Sequence, residues 1–241
     1  GSNLLRVILN AHSRIDVPHP PHILKYFSSL EHRYGDLDID ANMSRLVRDI
    51  CRLLDVHIYP WDLKLDVARV VAEARPRSLF GAFAAIQNQH LEQSEKARWG
   101  NKSTFMIHHV DAILERDPEA RLVWLVRDVR DVAVSSRKSV FSPCHPAHTA
   151  RLWTEQQSEG LSLQERLDSR HLLRMHYEDL LEDPERELRR LCDFLGEKFE
   201  AQLLNHASTG AARKGAGLSE SWENTGRPIL RGNSGKWRKG L

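Results

Sequence analysis

The chain has 241 residues, 41% of them hydrophobic and 28% charged, with a formal net charge of +2. This balance suits one sizeable globular domain and gives no bulk charge for gripping a polyanion. No apolar run approaches the ~20 residues that span a bilayer, and the N-terminus lacks the basic flank and apolar core of a secretory signal.

The first helical signal comes at once, because Leu4, Leu5, Ile8 and Ala11 share one face. The stretch DVPHPPH, residues 16–22, holds three prolines and is extended or turned. Helical spacing returns at Leu46, Val47, Ile50, Leu53 and Leu54, and again at Val67, Val70, Val71 and Ala74. Ser78 stands where a cap opens a helix carrying Leu79, Phe80, Phe83 and Ala84. Residues 106–114 read as one more helix.

Residues 122–126, LVWLV, form an apolar run of strand length, followed by a helix over 129–137. Residues 172–177 read as a weaker strand. After it, Asp183 suits an N-cap, Pro184 the first helical position and Gly196 the end of a helix over 184–195. Its buried stripe is Leu188, Leu191, Cys192 and Leu195. Residues 210–241 are rich in Gly, Ser, Arg and Lys and read mostly as loop. Strands alternating with helices predict an α/β layered domain with a parallel sheet.

The three cysteines are Cys51, Cys144 and Cys192. They are too few and scattered for a disulfide framework and fit a reducing, cytoplasmic setting. Cys51 and Cys192 sit at apolar helical positions and read as core. Cys144, His145 and His148 have a spacing that a metal could use, but no second cluster completes a tetrahedral set. They are read as loop residues without metal.

The stretch LVWLVRDVRDVAVSSRKS, residues 122–139, passes abruptly from apolar to basic. In a parallel α/β sheet, ligands bind beyond the carboxyl ends of strands. Arg127 stands at such an end and Ser135 on the helix that follows, so a guanidinium and a hydroxyl can converge on one phosphate. The competing reading pairs Arg127 and Arg130 with Asp128 and Asp131 on the surface. The basic stretch near the C-terminus has too little aromatic interleaving for a nucleic-acid binder.

Other segments favour the phosphate reading through a resemblance. Residues 1–12, GSNLLRVILNAH, resemble the end of the 5′-phosphosulfate loop of the sulfotransferase family and its following helix. WGNKST at 99–104 resembles the family's WG-x-K-[ST] segment. Residues 122–136 resemble its 3′-phosphate motif, and 176–196 the segment after its fourth strand. RGNSGKWRKGL, residues 231–241, resembles its late basic loop. These motifs stand in the family's order and cover nearly the whole chain.

The resemblance implies a three-layer α/β sandwich with a central, mainly parallel sheet, related to nucleotide kinases and filling residues 1–241 as a single domain. It implies transfer of a sulfuryl group from 3′-phosphoadenylyl sulfate (PAPS) to a hydroxyl or amine, with 3′-phosphoadenosine 5′-phosphate (PAP) as product and no metal. Gly1, Ser2 and Asn3 fall on the 5′-phosphosulfate loop. Arg127 and Ser135 fall on the 3′-phosphate site, with Arg231, Gly232 and Lys236 completing it. Lys102 falls where charge develops on the leaving phosphate. Some relatives carry a base Glu in a segment like PPETHF. Here the available bases are His19 and His22. Arg130, Asp131 and Arg137 are read as surface or scaffold, and Trp99 as a packing residue.

The family's first strand and the basic residue of its loop have no counterpart here. The resemblance therefore implies a piece of a longer protein that turns over its donor poorly on its own. Acceptor contacts are expected from residues 26–99 and 141–160. Small molecules, carbohydrates, lipids and peptides all remain possible acceptors. The alternatives are an ATP-using P-loop kinase, which calls for a GK[ST] loop where this chain reads GSN, and a non-catalytic nucleotide-binding module.

Overall fold

The computed structural model describes residues 1–137, 139, 145–218 and 220–240. In chain order the helices are α1 (Ser2–Asn10), α2 (Ile23–Phe27), α3 (Asp40–Val56), α4 (Val67–Glu73), α5 (Leu79–Ser94), α6 (Val110–Arg116), α7 (Val129–Ser136), α8 (Pro146–Arg166), α9 (Tyr177–Glu182), α10 (Pro184–Leu195), α11 (Gly210–Ala216) and α12 (Trp237–Gly240). The strands are β1 (Ile15–Asp16), β2 (Arg98–Trp99), β3 (Leu122–Val126) and β4 (Leu172–His176). The chain is thus mixed α/β, and both strand pairings, β1 with β2 and β3 with β4, are parallel. Instead of one central sheet, the described residues form two separate two-stranded sheets.

Two compact units divide the chain: Ser13–Pro118, and Gly1–His12 together with Glu119–Leu241. The Ser13–Pro118 unit is built on α3, α4 and α5. Met43, Leu46, Val47, Ile50 and Leu54 recur at helical spacing along α3 and pack with Val70 and Val71 of α4 and Leu79, Phe83 and Ile86 of α5. Ser78 opens α5 by accepting from the Gly81 N–H at 3.1 Å. A Cβ at Gly81 would lie 1.9 Å from the Pro76 carbonyl oxygen, so only glycine allows this approach.

In the other unit the core joins Leu5 and Ile8 of α1, Met175 of β4, Leu180 of α9 and Leu188, Leu191 and Cys192 of α10. The ends of α10 form as the sequence predicts. Asp183 accepts from Arg186 N–H, Pro184 occupies the first turn, and Gly196 takes the left-handed conformation at φ 70°. The strand over 122–126 also matches its expected bounds.

Two expectations change. Residues 210–240 are not mostly loop: α11, α12 and 3-10 turns at Glu220–Gly226 and Arg231–Asn233 occupy them. Such short pieces span one or two turns, too few for periodicity to register. The long α8 gave little signal because few of its residues are buried, namely Thr149, Gly160 and Leu163. Residues 106–114 begin as a 3-10 turn and continue as α6. Among the described residues, no helix is long and apolar enough to cross a membrane.

Gly160 lets α8 approach β3. A Cβ there would lie 2.3 Å from the Trp124 ring, whose Nε1 donates to Gln157 at 3.0 Å. Replacing glycine inside a helix by alanine ordinarily stabilises. Here overpacking wins, and Gly160→Ala is expected to cost about 1–3 kcal/mol in denaturant unfolding.

Candidate functional site

The β3–β4 register pairs Val126 with His176. The next residues, Arg127 and Tyr177, therefore leave the sheet side by side. The Arg127 guanidinium lies over the Tyr177 ring, 4.5 Å from its centroid. Its Nη2 donates to the Asn233 carbonyl at 3.2 Å, and Asn233 Nδ2 donates to Tyr177 Oη at 2.6 Å. Around this strand tip, Trp153 Nε1 donates to the Arg127 carbonyl and Glu178 Oε1 accepts from Asp128 N–H. Glu178 thus braces the turn that follows β3.

Gly1 abuts the same ring, since an added Cβ would sit 2.7 Å from Tyr177 Cδ2. Ser2 opens α1, and Asn3 Oδ1 accepts from Arg6 Nε at 2.9 Å. Arg127 Nε and Asn3 Nδ2 are among the buried side-chain polar atoms that have no hydrogen-bond partner among the described residues. A buried donor left unmatched costs about 1–3 kcal/mol.

Asp131, on the first turn of α7, is 1% exposed. Burial settles it as scaffold and not surface. Its Oδ2 accepts from Gly235 N–H at 2.6 Å and its Oδ1 from Trp237 N–H at 2.9 Å. Arg130 pairs with Asp128, as the surface reading proposed, and its guanidinium also lies 3.7 Å from the centre of the Trp237 ring. Ser135 is half-buried one helical turn beyond Asp131. Arg231, Gly232 and Lys236 are exposed. The inward contacts of this segment come from Asn233, Gly235 and Trp237, which the motif reading passed over.

In the Ser13–Pro118 unit, β1 and β2 pair Asp16 with Trp99, and Gly100 N–H donates to the Asp16 carbonyl at 2.7 Å. Trp99 packs edge-on against Phe83, as expected of a packing residue. Three residues on, Lys102 is half-buried, and Ser103 Oγ hydrogen-bonds His22 Nδ1 at 2.9 Å. His22 has a left-handed backbone at φ 56°, a strained position for a non-glycine residue. Burial first, then the charges of Lys102 and Lys25, lower its pKa to about 4. The imidazole therefore stays neutral beside a lysine and is a weaker base than an ordinary histidine. It lines a cleft with Lys25, Asn101, Phe105, Met106 and His109.

His19 is differently placed. It is 4% exposed, stacks on Tyr59 at 5.0 Å and lies 5.4 Å from the His57 ring. His22 is the more exposed of the two histidines. The sequence reading missed His90. Its Nδ1 lies 2.6 Å from Oδ2 of the buried Asp16, 74 residues away in the chain. Of the Cys144, His145 and His148 group, Cys144 lies outside the described residues. His145 caps α8 through Ala147 N–H and meets the His148 ring edge-on.

A family profile described as "Sulfotransferase family" matches residues 1–201. Among solved structures, the sulfotransferase domain from the curacin biosynthetic pathway aligns over 100% of this chain and 87% of its own, with 19% identity and a TM-score of 0.64. The sulfotransferase domain from the Synechococcus PCC 7002 olefin synthase aligns over 99% and 83%, with 21% identity and a TM-score of 0.63. At that identity the two show a shared fold. No curated protein sequence matches the chain.

A depressed pKa means that His22 resists protonation while ordinary imidazoles charge. In a proton NMR titration from pH 8 to 5, the His22 ring signals are expected to hold their shifts while solvent-exposed histidines titrate near ~6.5. A His22 midpoint at that ordinary value would refute the environment described for it.

Proposed function

The chain belongs to the sulfotransferase family, and from that membership we propose that it transfers a sulfuryl group from PAPS to a hydroxyl or amine acceptor. The observation that supports the donor reading is Arg127 at the β3 tip, its guanidinium stacked on Tyr177 with a buried, unmatched Nε, in the unit that also holds the unmatched Asn3 Nδ2. Both are N–H groups, as a polyanionic nucleotide requires. The fold reading that accompanies it is a three-layer α/β sandwich akin to nucleotide kinases.

When bound, PAPS supplies a sulfuryl group already activated by its phosphate leaving group. Arg127 and Ser135 hold the 3′-phosphate, with Arg231, Gly232 and Lys236 on the exposed side. Gly1, Ser2 and Asn3 present the start of α1, where backbone N–H groups and the helix dipole favour the 5′ anion. Lys102 balances the negative charge that builds on the departing phosphate oxygen, which is the larger part of catalysis in such transfers. Neutral His22, steadied by Ser103, takes the acceptor's proton. The acceptor is a small molecule, carbohydrate, lipid or peptide. The cleft beside His22 mixes the Lys25 cation with Phe105 and Met106, which suits an amphipathic group.

A second base is favoured by one observation. A carboxylate holding His90 through Nδ1 is the arrangement that orients an imidazole for proton transfer.

Three outcomes test this reading. PAP is expected to raise the melting temperature more than ATP, and Arg127→Ala to abolish that preference. Stabilisation by ATP equal to or above that by PAP would sink the 3′-phosphate reading. Lys102→Ala is expected to lower turnover by about 10²–10³-fold with the fold intact. With His22 as base, the protonated form is inactive, so the acid limb of turnover falls near pH 4. Turnover that survives His22→Ala and is lost in His90→Ala moves the role to His90.

A further inference from the structure

The carboxylate of Asp131 is nearly sealed from solvent, yet its nearest chain neighbour of opposite charge, Arg130, is committed to Asp128. Two backbone N–H groups, from Gly235 and Trp237, satisfy it instead. Alternate N–H groups converging on one anion make a concave nest, which needs a left-handed residue in the turn. Gly235 supplies it at φ 71°. Arg130 and Arg238 lie against the Trp237 indole, at 3.7 and 4.8 Å from its centre.

The segment held this way also carries Asn233, which bonds both Arg127 and Tyr177 Oη. Asp131 and Ser135 stand four residues apart on α7, so their side chains share a face about 5–6 Å apart. One buried carboxylate thus links the tail to both residues assigned to the 3′-phosphate.

We propose that Asp131 is a positioning residue: by locking residues 233–237 onto α7, it sets the 3′-phosphate side of the pocket before nucleotide arrives. It touches no ligand. It acts by fixing the Asn233 carbonyl against Arg127, which holds the guanidinium over Tyr177 with Nε unspent. The inference rests on the PAPS reading and adds a residue whose loss weakens recognition of one phosphate and leaves the rest of the nucleotide alone.

The test compares calorimetric affinities of the 241-residue chain for PAP and for adenosine 5′-monophosphate, which lacks the 3′ group. Asp131→Ala removes both acceptors, and Asp131→Asn keeps one. Gly235→Ala strains the nest at its half-buried, left-handed turn and leaves the α7 sequence untouched. The expected result is a PAP affinity lower by at least about tenfold in Asp131→Ala and Gly235→Ala. A smaller loss is expected in Asp131→Asn, with monophosphate affinity unchanged throughout. Trypsin should also cut faster after Lys236 and Arg238 in the variants. PAP affinity within twofold of the wild type in all three overturns the inference. So does parallel loss of both ligands in all three, which would make Asp131 a fold support only. A wild-type chain that holds PAP no tighter than the monophosphate overturns the 3′-phosphate reading itself, a result separable from either.

Discussion

The register of one short parallel strand pair decides where the chemistry can stand. With Val126 opposite His176, Arg127 and Tyr177 emerge at the same height, and the guanidinium settles on the ring. A slip of one residue would turn the paired side chains to the opposite face. The register is fixed by packing, since Met175 is fully buried and Trp124 meets Gly160 across α8. Everything assembled on that tip inherits this precision: the carbonyl of Asn233, the close approach of Gly1 and the Trp153 bond behind Arg127.

The two arginines near the strand tip are held in different ways. Arg130 is neutralised by Asp128 and covers an indole. Arg127 rests on a phenol ring and a carbonyl, neither of which carries a full charge. A carboxylate partner would have been a stronger tether, but it would compete with an incoming anion. Asp131 is close in sequence and could have filled that place. Its oxygens are instead occupied by the backbone of the tail. In the other unit the same economy keeps His22 neutral, because protonation beside Lys102 and Lys25 in a half-buried cleft is disfavoured.

Local features were legible in the sequence and distant pairings were not. The α10 caps, the Ser78 cap and the strand over 122–126 depend on residues within four positions of one another, so pattern and propensity suffice. Arg127 and Ser135 could be singled out because strand ends in parallel sheets bind ligands. The bonds from Asp131 to Gly235 and Trp237 cross 104 and 106 residues, and the Asp16–His90 contact crosses 74. No spacing rule reaches that far. Chemistry still left a trace, because a tryptophan in a basic, glycine-rich stretch is a residue that finds its use in packing. The burial of His19 went unseen because its prolines suggest an exposed turn, whereas Val17 through Pro21 are all buried.

Trp237 also explains how a basic segment rests against basic residues. Arg231, Lys236, Arg238 and Lys239 should be repelled by Arg127 and Arg130 at the strand tip. Hydrogen bonds to the tail come from backbone groups and from Asn233, so the cations need not approach the core, and all four remain exposed to solvent where repulsion is screened. The indole converts Arg130 from a repulsive neighbour into an attractive one by offering the negative face of its ring. The exposed cations that persist beside the strand tip are therefore a consequence of how the tail is anchored.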